Sequence, residues 1–170
     1  MFYNFNDVTV RVLAEKALKQ SEETLSTMYE NMFDPILIYD FVEDMILDCN
    51  QAAIDLFKYS KNTLLQKKRI DLISRNSKNP HYDEIRELII DARARILKNE
   101  TVKSNITVVD KNGQEYIGEV NVIPTGISPG EVFIVIHDKT IEIIAQEKLK
   151  AKNKEIEHKN LMYEAVISDS

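Results

Sequence analysis

The chain has 170 residues, 44% hydrophobic and 29% charged, with a formal net charge of -6. That is enough for one domain with extensions and a substantial core, and it is the wrong sign for a surface that follows a phosphate backbone. The single basic cluster, Lys67 to Arg69, is too short to reverse this and reads as a solvated turn. Cys49 is the only cysteine, which excludes an intrachain disulfide and fits a reducing compartment. No apolar run approaches the roughly 18 residues of a membrane helix, and the N-terminus lacks the basic-then-apolar order of a signal peptide. The expected location is the cytoplasm, within a parent protein that can itself be membrane-associated.

In chain order, "MFYNFNDVT" reads as the end of a strand over residues 1–9, and a charged, helix-prone stretch fills residues 10–30. This opening recurs near the C-terminus. With Phe2 set over Phe133, Asp7 falls on Asp138, Thr9 on Thr140, Ala14 on Ala145, Leu18 on Leu149 and Lys19 on Lys150. The helical seams match too. Ala14, Leu18, Ser21, Leu25, Met28 and Met32 keep a/d heptad spacing, and their counterparts are Ala145, Leu149, Lys152, Ile156, Lys159 and Tyr163. Both helices are expected to pair with a symmetry mate, through Leu18, Leu25 and Met28 in the first and Leu149 and Ile156 in the second. The two lysines weaken the second seam. The plainer alternative is that each helix packs its apolar stripe on its own domain.

Between them, "DPILIYDF" and "DMILDCN" predict two strands joined by a tight turn, and Asn50 predicts an N-cap for the short helix "QAAIDLFKY". "SKNTLLQ" opens on a second capping serine. "RIDLISRNSKNP" predicts a helical turn and a loop. Residues 81–100 predict the long helix, with Ile85, Leu88, Ile89, Ala92 and Ile96 at helical spacing. Three strands follow: "VKSNITVVD", then "QEYIGEVNVIP" after a "KNG" turn, then "EVFIVIHDKT" after a Gly/Pro loop. This order is not the alternation of a doubly wound sheet. It predicts an α+β fold, one antiparallel sheet with helices gathered on one side.

The residues from "NMFDPILIYDFVEDMILDCNQAAIDLFKYSKNTLL" resemble the start of a PAS domain: a strand pair, then Asn50, Ala52 and Ala53 opening a helix, then Phe57, Lys58, Tyr59 and Ser60 at a turn. "DKNGQEYIGEVNVIP", with Asp110 and Gly113 at its turn, resembles the family's second hairpin, and "FIVIHDKT" its final strand. The resemblance covers residues 31–140. It implies a five-stranded antiparallel sheet with a helical layer on one face, flanked by N- and C-terminal signalling helices. It also implies a sensory and dimerisation module inside a larger signalling protein, working with neighbouring PAS and output domains. Residues 1–9 then look like the remnant of a preceding PAS domain, of which residues 2–6 are expected to be disordered or absorbed into the first helix, and residues 141–170 like the coiled-coil linker that leaves this one. Asp138 and Thr140, where the last strand meets that linker, are the expected transmission point.

Core positions expected to line the interior are Leu37, Tyr39, Leu56, Ile85, Ile89, Ile106, Val108, Val120 and Val135, either as a small-molecule pocket or as plain packing. Tyr39 stands out, because a buried phenol needs a partner. Glu119 and Asn121 alternate with Val120 and Val122 and are assigned to the outer side of the sheet. Heme would need a histidine on the long helix. His81 lies at its very start, and an apolar residue near Leu88 occupies the ligand position of heme-binding relatives. Flavin photochemistry would need a cysteine in "KKRIDLISRN", which has none. Cys49 reads as a small buried hydrophobe. Heme, flavin and metal are therefore not expected, and neither is nucleic acid. No nucleophile–base pair or Gly-rich phosphate loop points to catalysis. Three readings stay open: a ligand-sensing module, a ligand-free connector in a tandem array, and a heme-bearing redox or gas sensor. The output expected after the C-terminal helix is a histidine kinase or a diguanylate cyclase.

Overall fold

The computed structural model describes residues 5–75 and 82–169, with the backbone alone at residue 5 and residues 82–86. Helix α1 (Phe5–Glu30) leads into strand β1 (Ile36–Asp40), and a turn brings the chain back as β2 (Met45–Cys49). Three short helical pieces follow, α2 (Gln51–Phe57), α3 (Lys61–Leu65) and a 3-10 turn at Arg69–Leu72, before helix α4 (Tyr82–Ile96). Strands β3 (Val102–Val109), β4 (Glu115–Pro124) and β5 (Glu131–Asp138) complete the sheet, and α5 (Thr140–Ser168) leaves it. The strand order is β2-β1-β5-β4-β3, antiparallel at every pairing.

Period-2 alternation sets the two faces of this sheet. Val102, Val108, Val120, Val122, Ile134, Ile136, Leu37 and Tyr39 are buried on one face, beneath α2, α3 and α4. Glu119 and Asn121 alternate with the buried valines, as expected. Gly118 sits on the inner face at a close approach: a Cβ there would meet Ile136 Cγ2 at 2.9 Å. The β4–β5 loop closes with Gly130 at φ +85, where a Cβ would meet Val42 Cγ2 at 2.8 Å.

Two boundaries differ from the sequence reading. The first helix begins at Phe5 rather than at residue 10. A strand end without a sheet to join has no partners for its backbone, whereas a helix satisfies them internally. The long helix ends at Ile96, and Asn99 turns the chain with φ 63 before β3. His81 lies outside the described residues.

Asn50 organises the junction of these elements. It is wholly buried, and its Oδ1 accepts from Ile36 N at 2.9 Å and from Ala53 N at 3.1 Å. Its Nδ2 donates to Tyr29 O at 3.2 Å and Asp34 O at 3.0 Å. The predicted N-cap of α2 thus also ties the end of α1 to the start of β1, with all four amide valences used.

Candidate functional site

The inner face of the sheet and the overlying helices enclose a cavity of about 70 Å³. Leu37, Tyr39, Ile106, Val108 and Val120 line it from the sheet and Ile89 from α4. Leu56 does not reach it; it packs against the periphery of the core. Val135 belongs to the opposite face. It pairs with Asn121 in the ladder and lines an apolar groove under α1, while Ile134 and Ile136 take the inner positions. A shift of one residue along a strand inverts the face. The side chain of Ile85 lies outside the described residues.

The sequence reading missed Arg69, Phe41, Leu72 and Ser104. Arg69 was hidden in the cluster taken for a solvated turn. Its signal was the apolar neighbours in "RIDLI", which seat the 3-10 turn on the core, Leu72 being buried. The Arg69 guanidinium carbon lies 4.8 Å from the Phe41 ring centroid and 5.4 Å from that of Tyr39. These rings meet edge to face, 5.0 Å apart at 89°. The Tyr39 hydroxyl donates to Asp44 Oδ1, the partner its burial demands. Burial, and after it that hydrogen bond, holds the Tyr39 phenol well above its ordinary pKa.

Cys49 is buried, and its surroundings push the thiol pKa up, chiefly by desolvation, so it is an inert packing residue. Leu88 lines the cavity. No group of three or more His, Cys, Asp or Glu among the described residues is arranged to hold a metal.

The strand-to-helix junction is the second candidate feature. Asp138 Oδ1 accepts from Thr140 N at 2.9 Å and from Thr140 Oγ1 at 2.6 Å. Thr140 Oγ1 in turn accepts from Ile117 N at 2.8 Å, and Lys139 N donates to Ile117 O at 2.8 Å. The first turn of α5 is thereby fastened to β4 as well as β5. Glu119 adds charge, 2.8 Å from Lys103 Nζ and 3.8 Å from Lys139 Nζ, and the Lys103 hydrogen bond lowers its pKa first of all.

The third feature is apolar surface. Leu25 and Met28 of α1, and Met32 just past its end, face Ile123, Phe133 and Val135 across the outer groove. Leu18, at 60% exposure, and Leu149, at 61%, touch no such surface, and no residue of α5 is buried. Ile156 is likewise exposed. No helix among the described residues is long and apolar enough to cross a membrane.

Comparison with known proteins places these features in context. No curated protein sequence matches the chain. Among solved structures, a domain of a sensory box sensor histidine kinase/response regulator from Geobacter sulfurreducens superposes with a TM-score of 0.55 at 22% identity, covering 71% of this chain and 96% of that one. The PAS domain of an HTR-like protein from Haloarcula marismortui gives 0.59 at 16% identity, over 74% and 97%. The PAS domain of a LuxR-family transcriptional regulator from Burkholderia thailandensis, solved in complex with ethanol, gives 0.53 at 13% identity, over 66% and 95%. The PAS fold family model matches residues 23–139. With the sheet order, the helical layer and that match in agreement, the chain belongs to the PAS family.

Proposed function

We propose that this domain passes a change in its core, caused by a small ligand or a neighbouring domain, through β5 into α5. From there it reaches a C-terminal output domain, a histidine kinase or a diguanylate cyclase, in a cytoplasmic parent protein that works as a homodimer. The observation that carries this reading is the continuity of cavity wall and helix start. Ile134 and Ile136 line the cavity, and two residues further on Asp138 fixes the first turn of α5. A displacement of β5 therefore moves the helix, a rigid-body route of the kind that switches use. The ethanol complex of the Burkholderia thailandensis domain supports a small-molecule occupant. The recurrence of Phe2–Lys19 within Phe133–Lys150 supports a second PAS domain N-terminal to this one.

Hydrogen exchange tests the coupling. In the double variant Asp138→Ala, Thr140→Val, amides of the first two turns of α5 exchange at least about tenfold faster while those of β5 keep their protection. Unchanged exchange in α5 sinks the junction as the coupling element. A ligand-free connector is the second reading, favoured by the small cavity volume of about 70 Å³. Native mass spectrometry separates the two, since a co-purifying small molecule excludes the connector.

A further inference from the structure

The Arg69 guanidinium is the only charged group lining the cavity among the described residues. Its Nε and Nη1 are fully enclosed and have no hydrogen-bond partner among those residues. The aromatic faces of Phe41 and Tyr39 answer its charge. They do not answer its donors, because guanidinium N–H groups point outward in the plane of the group. The carboxylates nearest in sequence are engaged elsewhere. Asp44 accepts from Tyr39 and lies 3.9 Å from Lys68 Nζ, and Asp71 accepts from Lys68 N and lies 3.8 Å from Arg75. A buried cation with unused donors is unfavourable on its own and becomes favourable when an anionic acceptor completes it.

We propose that the cavity takes a small monocarboxylate. The carboxylate accepts from the unpartnered Arg69 donors, and a short apolar body fills the space lined by Ile89, Val108, Val120 and Ile134. Planar guanidinium and planar carboxylate are matched in geometry and charge, which is why arginine is the residue type for this recognition. The volume limits the body. At roughly 10–15 Å³ for each water-sized unit, the cavity of about 70 Å³ holds about five to seven non-hydrogen atoms before the walls must yield. Ser104 is a further polar side chain on the wall. A neutral ligand could accept from the Arg69 donors but would leave its charge without a counter-ion, and a cation would be repelled. The inference rests on the reading of this cavity as a ligand site.

The test is an amide NMR titration of the full chain with sodium butyrate, 1-butanol and butylammonium chloride at matched ionic strength. Butyrate is expected to shift the amides of Val120, Val122, Ile134 and Ile136, and to bind at least about tenfold more tightly than butanol, the loss typical of an unmet buried charge. Butylammonium is expected to leave those amides unmoved. In Arg69→Met the preference for butyrate over butanol disappears, and in Arg69→Lys it is reduced. The wild-type comparison decides the matter even where a variant folds poorly. Equal binding of butyrate and butanol overturns the carboxylate assignment and leaves the cavity a ligand site. No binding of any of the three overturns the ligand site itself and the carboxylate with it.

Discussion

At the scale of single residues, the fold depends most on a buried amide. Asn50 uses every donor and acceptor it has, and three of its four partners lie in segments distant in sequence, at Tyr29, Asp34 and Ile36. Removing such a hub strands several buried backbone groups at about 1 to 3 kcal/mol for each group left unmade, partly relieved by water. Asn50→Ala is therefore expected to lower unfolding stability by about 2–4 kcal/mol in urea denaturation. Asn50→Asp should cost as much, since an acceptor then faces the carbonyls of Tyr29 and Asp34. A loss within the about 0.5 kcal/mol of an ordinary surface substitution would show the hub to be redundant. Tyr39 adds a pH dependence. The folded state holds its phenol proton to higher pH than the unfolded chain does. The contribution is thus complete below the ordinary phenol value of about 10 and is lost as pH rises beyond it. Tyr39→Phe should show a shallower fall of stability above about pH 10 than the wild type, with the two slopes equal below about pH 9. Tyr29, whose phenol is raised by burial first and then by Asp48, accounts for part of the slope that remains.

At the scale of elements, Gly130 shows how a loop positions the strands. It sits at φ +85 with its α-carbon against Val42, and its carbonyl accepts from Phe41 N at 2.9 Å, so it joins the β4–β5 loop to the end of β1. Gly130→Ala meets both a disfavoured backbone and a clash at 2.8 Å, and is expected to cost about 1–3 kcal/mol in thermal or urea unfolding. Gly113→Ala, at φ +83 but in open space, should cost no more than the backbone term of about 1 kcal/mol. The elements themselves were legible because their signals are local: alternation in β3, β4 and β5, a capping serine before α3, the Asn50 cap before α2. The site was legible only in part, because it depends on which face of an element meets the core. Alternation identified Val120 and Val108 as inward but left the phase of β5 open, and Val135 was assigned one position out of step with Ile134. A run in which Val132, Phe133, Ile134, Val135 and Ile136 are all apolar carries no alternation to read, since both faces of β5 are covered. Arg69 was misread for the converse reason. Within "KKR" its composition matches that of a solvated turn, and only the fold reveals that the third cation turns inward over two aromatic rings.

At the scale of the whole molecule, the sheet and its helical layer form one body, and two long helices carry apolar side chains that this body does not cover. α1 spends Leu25 and Met28 partly on the outer groove, whereas no residue of α5 is fully buried along its 29 residues, and only Thr140 and Ile143, in its first turn, are half-buried. A helix of that length spans about 43 Å. Most of the stability of helices in proteins comes from packing an apolar stripe, so an α5 left bare in water is marginal, and the homodimer proposed above would supply the missing surface from a second copy of the chain. Only its first turn is fastened to the sheet, through Thr140 and Lys139. Deleting residues 151–170 should therefore spare the fold and remove association. The truncated chain is expected to keep its thermal midpoint to within about 3 °C when both proteins are compared as monomers at low concentration, because the deleted segment touches no part of the core. Sedimentation velocity at tens of micromolar should find the full chain dimeric and the truncated chain monomeric. The double variant Leu149→Lys, Ile156→Lys should reproduce that loss without any deletion, since charges at facing a and d positions repel across the seam. A full chain that sediments as a monomer at that concentration defeats the pairing of α5. A truncated chain that remains dimeric instead assigns association to α1 and the outer groove, where Leu18 is the exposed residue to substitute next.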